Sequence, residues 1–287
     1  MNTAAALAGR WPGVAAAPSP NEGDVAIDIR GLSFRPPSRN RDAVEILSGI
    51  DLAVRQREFI AIVGPSGCGK STLLNFVAGL LPVQSGQVTV RGQGGQAPSL
   101  GYVFQQHGLL PWRTAQKNVE LGLEIAGLPV PQRQERARAM LAQMGLAGYE
   151  RHYPRELSGG MRQRVALAKT LVTEPQVVLM DEPFGALDAQ TRVAVQSLFA
   201  EFWTRHRATV LFVTHDIDEA LLLADRVVVM GARPGRIVAQ YTVPTARPRS
   251  HHQLRQQPAF NELYDTLWND IAHLAQDAGR PAARRPS

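Results

Sequence analysis

The sequence predicts an α/β fold built on a mostly parallel sheet, with a helical lobe inserted into it. Three observations predict this. Short aliphatic runs, REFIAIVG (57–64), PQVVLMDEP (175–183), ATVLFVTHD (208–216) and DRVVVMG (225–231), alternate with helix-spaced segments, and strands joined through helices return parallel. Between about residues 114 and 157 the pattern turns to helical apolar spacing with charged outer faces. Finally, 44% of the 287 residues are hydrophobic against 20% charged, enough for a packed core and too much for a disordered chain.

Taken in order, residues 1–23 read as a disordered N-terminal extension. Arg10 interrupts their apolar run and no basic start precedes it, so a secretory signal is not expected. VAIDIRGLSF (25–34) alternates as a half-buried strand, PPSRNRDA (36–43) reads as a loop, and Ile50, Leu52 and Val54 alternate again. After REFIAIVG the spacing becomes helical over 71–81, and QVTVRG (87–92) and LGYVF (100–104) are the next strands. NVELGLEIAG (118–127) and QRQERARAMLAQMGL (132–146) are the helices of the lobe, joined by LPVPQ. An apolar helix separates the next two strands, and IDEALLLA (217–224) is a further helix before DRVVVMG. Beyond Pro244 the chain is rich in Arg, Pro and Gln. It then sets Phe260, Leu263, Leu267, Ile271 and Leu274 at steps of three and four, an amphipathic helix expected to pack on its own core. The expected organisation is therefore an extension (1–23), a domain at 24–244 with its helical subdomain at about 114–160, and a tail at 245–287.

Charge and cysteine usage narrow the classes. Lysine and arginine outnumber acidic residues by 31 to 25, yet only Lys70, Lys117 and Lys169 are lysines. A net charge of +6 suits nucleic acid or an anionic membrane face without selecting either. The single cysteine, Cys68, excludes an intrachain disulfide and any multi-cysteine metal site, which fits a cytoplasmic location. Asn75, Pro82, Gln84, Ser85 and Gln87 break the charge-free stretch at 71–90, spoiling it as a membrane span.

Three motifs carry chemistry. GPSGCGKS (Gly64, Pro65, Ser66, Gly67, Cys68, Gly69, Lys70, Ser71) lies between an aliphatic strand and a helix. Such a loop frees backbone N–H groups to converge on phosphate, Lys70 would reach the β- and γ-phosphates, and Ser71 would ligate Mg²⁺. The plainer alternative is a glycine-rich turn at an ordinary helix, but a lysine in an arginine-choosing chain argues for a compact ammonium at a defined point. There Lys70 and the helix N-terminus would favour a reactive thiolate at Cys68, against the alternative of a buried, inert thiol. VVLMDE ends a strand in two carboxylates: Asp181 suits the Mg²⁺ shell and Glu182 could polarise an attacking water, or both are a solvated strand end. LSGGMRQR (157–164) is either an N-cap and turn or a second phosphate cradle.

Together these motifs make the chain resemble an ATP-binding cassette (ABC) ATPase. LSGGMRQR (Leu157, Ser158, Gly159, Gly160 and Met161 leading) matches the family signature, Gln105 in VFQQ its Q-loop glutamine, Asp188 in ALD its D-loop and His215 in VTHD its switch histidine, in the family's order over roughly 24–243. The resemblance implies a P-loop NTPase core with an antiparallel β subdomain and an inserted helical subdomain. It further implies a head-to-tail homodimer holding ATP and Mg²⁺ at its interface. Residues 64–71 and Thr72 of one subunit would face the signature of the other, with Ser71, Gln105 and Asp181 around the metal. Glu182, His215 and Gln105 would then be catalytic, and Asp188 would link the two sites. The family's adenine-stacking aromatic falls at Pro36 here, so Phe34 is either shifted into that role or part of the core.

GLLPW (108–112) followed by RTAQKNV resembles the branch that energises import of nitrate, taurine and alkanesulfonates, with Trp112 as an anchor of the helical lobe, a motif of the branch, or both. The expectation is a peripheral ATPase at the cytoplasmic face of the inner membrane. It would work with an integral membrane permease and, through it, an extracytoplasmic solute-binding protein, with aliphatic sulfonate preferred as cargo and no nucleic-acid partner. The competing class is a soluble cassette protein acting on nucleic acid or the ribosome. A nucleotide-dependent kinase would leave LSGGMRQR and His215 without work.

Overall fold

The computed structural model describes residues 25–37, 44–92, 98–247, 249–250 and 254–279. The expected N-terminal extension, most of the 36–43 loop and the Gly/Gln-rich turn before LGYVF lie outside them. The chain forms two compact units, Met1–Val90 with Val213–Ser287, and Arg91–Phe212.

In the first unit, β1 (Val25–Phe34) is the middle strand of an antiparallel sheet between β2 (Leu47–Arg55) and β4 (Ser85–Val90). The alternation of VAIDIRGLSF is not continuous, and its register with β2 shifts three times. One of these shifts, between Ile29 and Leu32, leaves Arg30 and Gly31 exposed. Gly31 takes a φ of 56°, and its N–H donates to Asp51 Oδ1 at 2.7 Å. QVTVRG thus pairs with β1, its Val88 and Val90 opposite Ile29 and Ile27.

A second set of strands carries the core. β3 (Phe59–Val63) and β8 (Arg226–Gly231) pair in parallel and are buried along their whole length, so they read as continuous aliphatic runs. β9 (Arg236–Thr242), absent from the expectation, pairs antiparallel to β8. Its alternating Ile237, Ala239 and Tyr241 were the available signal. Between β3 and β4 runs α1 (Lys70–Val77). Ahead of β8 comes the short α6 (Ile217–Leu223). The C-terminal α7 (Pro258–Gly279) packs on α6 and β8, and its Phe260 and Leu267 are buried. The Tyr241 hydroxyl donates to the buried Asp270 carboxylate at 2.6 Å, so the amphipathic helix belongs to this unit's core.

The second unit joins β5 (Leu100–Val103), β6 (Val177–Asp181) and β7 (Thr209–Val213) to four helices, with β5 and β6 parallel. These helices are α2 (Ala115–Ile125), α3 (Val130–Gln143), α4 (Gly159–Leu171) and α5 (Ala189–His206). Buried Asn118 on α2 shapes the loop before the lobe. Its Oδ1 accepts from Leu110 N at 2.7 Å, and its amide nitrogen donates to the carbonyls of Leu110, Arg113 and Thr114. That loop holds Trp112 72% exposed, which argues against the anchor among the two readings the sequence left open.

Candidate functional site

The phosphate-loop residues are set by close backbone approaches that only glycine permits. A Cβ on Gly64 (φ 155°) would sit 2.2 Å from the Met230 carbonyl oxygen, and one on Gly235 would sit 2.1 Å from that of Cys68. Gly69 (φ 95°) caps α1 with no side-chain acceptor, and α1 has no acidic residue in its first turn, so the N-terminal dipole is left for an anion. Lys70 is only 6% exposed. Its ammonium donates to the carbonyls of Gly64 at 2.9 Å and Pro65 at 3.0 Å, which meets the need of a buried charge for partners.

The same packing reverses the expectation for Cys68. Its thiol is 1% exposed, and burial pushes its pKa up more strongly than the Lys70 ammonium, 3.8 Å from the sulfur, pulls it down. Desolvation wins, and the thiol is the buried, inert one. Phe34 is likewise core: it is buried, with its ring edge-on to Phe76 at 5.0 Å, so it supplies no adenine platform.

His215 is exposed immediately before Asp216, the N-cap of α6. Asp216 Oδ1 accepts from the N–H groups of Asp218 and Glu219, while the Thr214 hydroxyl donates to buried Glu219 at 2.6 Å. The histidine is therefore held between two fixed turns.

In the second unit, Asp181 closes β6 and the chain bends sharply at Glu182, whose φ of 43° is left-handed. A residue with a Cβ carries roughly 1–2 kcal/mol of strain there. The bend turns Glu182 toward Gln105, whose Nε2 lies 3.4 Å from the Glu182 carboxylate. Tyr102, stacked on Phe104 at 4.2 Å, has its pKa raised by burial and then by the Asp181 charge.

Ser158 is the N-cap of α4, its hydroxyl accepting from Met161 N at 3.2 Å, and Asp188 caps α5 by accepting from Thr191 N at 3.0 Å. The backbone and then the side chain of Thr191 lower the Asp188 pKa. The two caps lie close together, since a Cβ on Gly160 would fall 2.1 Å from Thr191 Cγ2. Leu157 is buried, and its carbonyl accepts from Arg162 Nη1 at 2.6 Å.

Two neighbours of Gln105 were missed by sequence reasoning. His107 Nδ1 lies 2.6 Å from Oε1 of buried Gln163, and Lys169 Nζ donates to the Gly108 carbonyl at 2.6 Å, so α4 grips the segment just after Gln105. Burial lowers the Lys169 pKa. The scarcity of lysine that singles out Lys70 pointed equally to Lys169.

Comparison with known proteins gives consistent matches. Residues 47–185 match the ABC transporter domain. The chain is 50% identical over 234 residues to an uncharacterized ABC transporter ATP-binding protein of Methanocaldococcus jannaschii, covering 81% of this chain and 88% of the relative. It is 42% identical to the taurine import ATP-binding protein of Rhizobium johnstonii, over 82% and 91% of the two chains. It is also 42% identical to an aliphatic sulfonates import ATP-binding protein of Paraburkholderia xenovorans, over 92% and 76%. A solved dimeric ATP-binding cassette in a post-hydrolysis state, bound to ADP and Pi, superimposes with a TM-score of 0.68 at 29% identity, over 77% of this chain and all of that one.

The contact between the two caps is directly testable. Gly160→Ala is expected to cost about 1–3 kcal/mol of stability by overpacking against Thr191, read as a lower urea midpoint. Thr191→Ser removes the clashing methyl, and the double variant should recover most of the loss. An unchanged midpoint in Gly160→Ala would show that the contact is slack.

Proposed function

The chain belongs to the ABC transporter ATPase family, and on that premise we propose that it is the ATP-hydrolysing subunit of an importer for small sulfonates. The observation that carries the catalytic part is Glu182, bent into a left-handed conformation at the end of a buried strand with its carboxylate beside Gln105. Strain of this kind persists where the surroundings enforce it, and it aims a carboxylate at one point.

In this reading Lys70 stabilises the charge that builds on the β- and γ-phosphates, aided by the N-terminus of α1, with Gly64, Pro65, Ser66, Gly67, Cys68, Gly69, Ser71 and Thr72 forming the cradle. Glu182 accepts the proton of the attacking water, and Gln105 keeps that carboxylate in register. His215 contacts the γ-phosphate. Ser158, Gly159 and Gly160, flanked by Leu157 and Met161, serve the nucleotide of a second copy of the chain in a head-to-tail dimer, with Asp188 linking the two sites. The signature serine thus keeps its cap and offers the same helix N-terminus to the partner's phosphate.

The Ser71 hydroxyl, the Gln105 amide oxygen and the Asp181 carboxylate are hard oxygen donors of the kind Mg²⁺ takes, and the Gln105 amide nitrogen is engaged by Glu182, which leaves the oxygen for a cation. Bound there, Mg²⁺ would neutralise phosphate charge.

No helix among the described residues is long and apolar enough to cross a membrane, so the solute path is assigned to a separate integral membrane permease. The ATPase would sit peripherally on the cytoplasmic face of the inner membrane, fed by an extracytoplasmic solute-binding protein. Import relatives named for taurine are 42–44% identical to this chain and one named for aliphatic sulfonates is 42% identical, which supports a sulfonate and separates neither cargo.

Glu182→Gln keeps the hydrogen bonding but removes the proton acceptor. Hydrolysis should fall about 10²-fold or more while ATP binding persists and a nucleotide-bound dimer accumulates. Near-normal turnover would remove Glu182 from the catalytic role. For cargo, the ATPase rate of the complex reconstituted with its permease should rise when the binding protein is loaded with taurine or an alkanesulfonate. Stimulation by nitrate alone would overturn the sulfonate assignment, and stimulation by no loaded binding protein would overturn the importer assignment.

A further inference from the structure

Helix α6 is seven residues long and carries His215 just ahead of its N-cap. So short a helix is marginal by itself, and its orientation is set by whatever holds its ends. Three arginines from the segment between β9 and α7 do this. Arg249 Nη1 donates to the Leu221 carbonyl at 3.1 Å and to that of Ala224, while its Nε donates to Thr245 O at 2.8 Å. Arg247 donates to the Leu223 carbonyl and, through Nε and Nη2 at 3.1 and 2.9 Å, to Asp225 Oδ1. Asp225 in turn uses Oδ2 to accept from Phe59 N at 3.0 Å at the start of β3. At the other end of α6, Arg255 Nη2 donates to both carboxylate oxygens of Asp218 at 2.8 and 2.7 Å, and its guanidinium lies 5.2 Å over the Tyr264 ring of α7.

These contacts satisfy carbonyls that the C-terminal turn of a helix leaves without intrahelical partners, and they place cations where the helix dipole favours them. They are made at a cost. Burial, followed by the charge of Arg247, pulls the Arg249 pKa down to about 10, still protonated at neutral pH. Both ends of α6 are thus tied by one segment, which is itself anchored through buried Leu254 and Phe260.

We propose that Arg247, Arg249 and Arg255 form a strap that fixes α6 from behind and thereby positions His215, making these arginines positioning residues for ATP hydrolysis. This rests on the reading of His215 as a γ-phosphate contact. The bonds converge on α6 from a part of the chain that supplies none of the expected nucleotide contacts, so the strap acts through the histidine rather than on the nucleotide.

The test combines a structural and a kinetic readout on the full-length chain. Of the seven histidines, His215 is identified in a ¹³C-labelled spectrum by the signal missing from His215→Ala. Arg249→Ala should shift or broaden that ring signal, lower kcat roughly 10-fold or more and leave the KM for ATP within about twofold, with partial recovery in Arg249→Lys. In the His215→Ala background the same substitution should cost almost nothing further. Should Arg249→Ala fail to fold, the solvent-exposed Arg255→Ala carries the same expectations at smaller amplitude. An unmoved His215 signal in the strap variants, or an equal loss of rate in the His215→Ala background, overturns the strap alone. A normal rate in His215→Ala overturns the catalytic reading of His215, and the strap's purpose with it, even where the ring signal moves.

Discussion

An ammonium group kept almost wholly out of water is the constraint around which the first unit is arranged. Lys70 is 6% exposed, and a charge so placed is tolerated only where acceptors surround it. The carbonyls of Gly64 and Pro65 supply them, which requires the loop to turn back on its own helix. That turn brings backbone within reach of backbone at Met230 and Gly235, so Gly64 and Gly235 have no room for a Cβ. β3 and β8, buried throughout, fix the positions from which these close approaches are made.

The second unit solves a different problem, aiming a carboxylate. A strand presents successive side chains to opposite faces, so two acidic residues at its end would normally diverge. The left-handed turn at Glu182 changes that and sets its carboxylate beside Gln105. The grip of His107 and Lys169 on either side of the same turn of chain ties the Gln105 segment to α4, the helix that begins at Ser158. The segment after Gln105 and the signature helix are therefore joined by side-chain hydrogen bonds of 2.6 Å.

Much of the backbone was legible in the sequence wherever a motif fixes local geometry. The loop at 64–71, the strand ending in Asp181 and Glu182, and the cap at Ser158 are all local, and each formed where its residues indicated, whereas the Asp188 cap was not anticipated. What failed were judgements about exposure. Cys68 was expected as a thiolate because its charged neighbour is visible in the sequence while its burial under Gly235 is not. Trp112 was left between a lobe anchor and a motif of the branch, and the loop that Asn118 builds holds it outward. Phe34 was left between two roles until Phe76, 42 positions along the chain, placed it in the core. The arginine strap was invisible for another reason: Arg249 donates to backbone carbonyls, which leave no mark in a sequence, and the Asp225 and Asp218 carboxylates that Arg247 and Arg255 reach lie 22 and 37 positions away.

Position 70 requires a compact ammonium rather than any positive charge, in a chain that otherwise chooses arginine. The direct measurement is ATP affinity by titration calorimetry for the parent protein and for Lys70→Arg, with folding checked by circular dichroism. A guanidinium is a planar fork of several donors, not the compact ammonium that here donates to the Gly64 and Pro65 carbonyls. The account predicts that Lys70→Arg folds and loses ATP affinity by roughly 10- to 100-fold, the worth of a charged hydrogen bond. Parent-like affinity in that variant would contradict it.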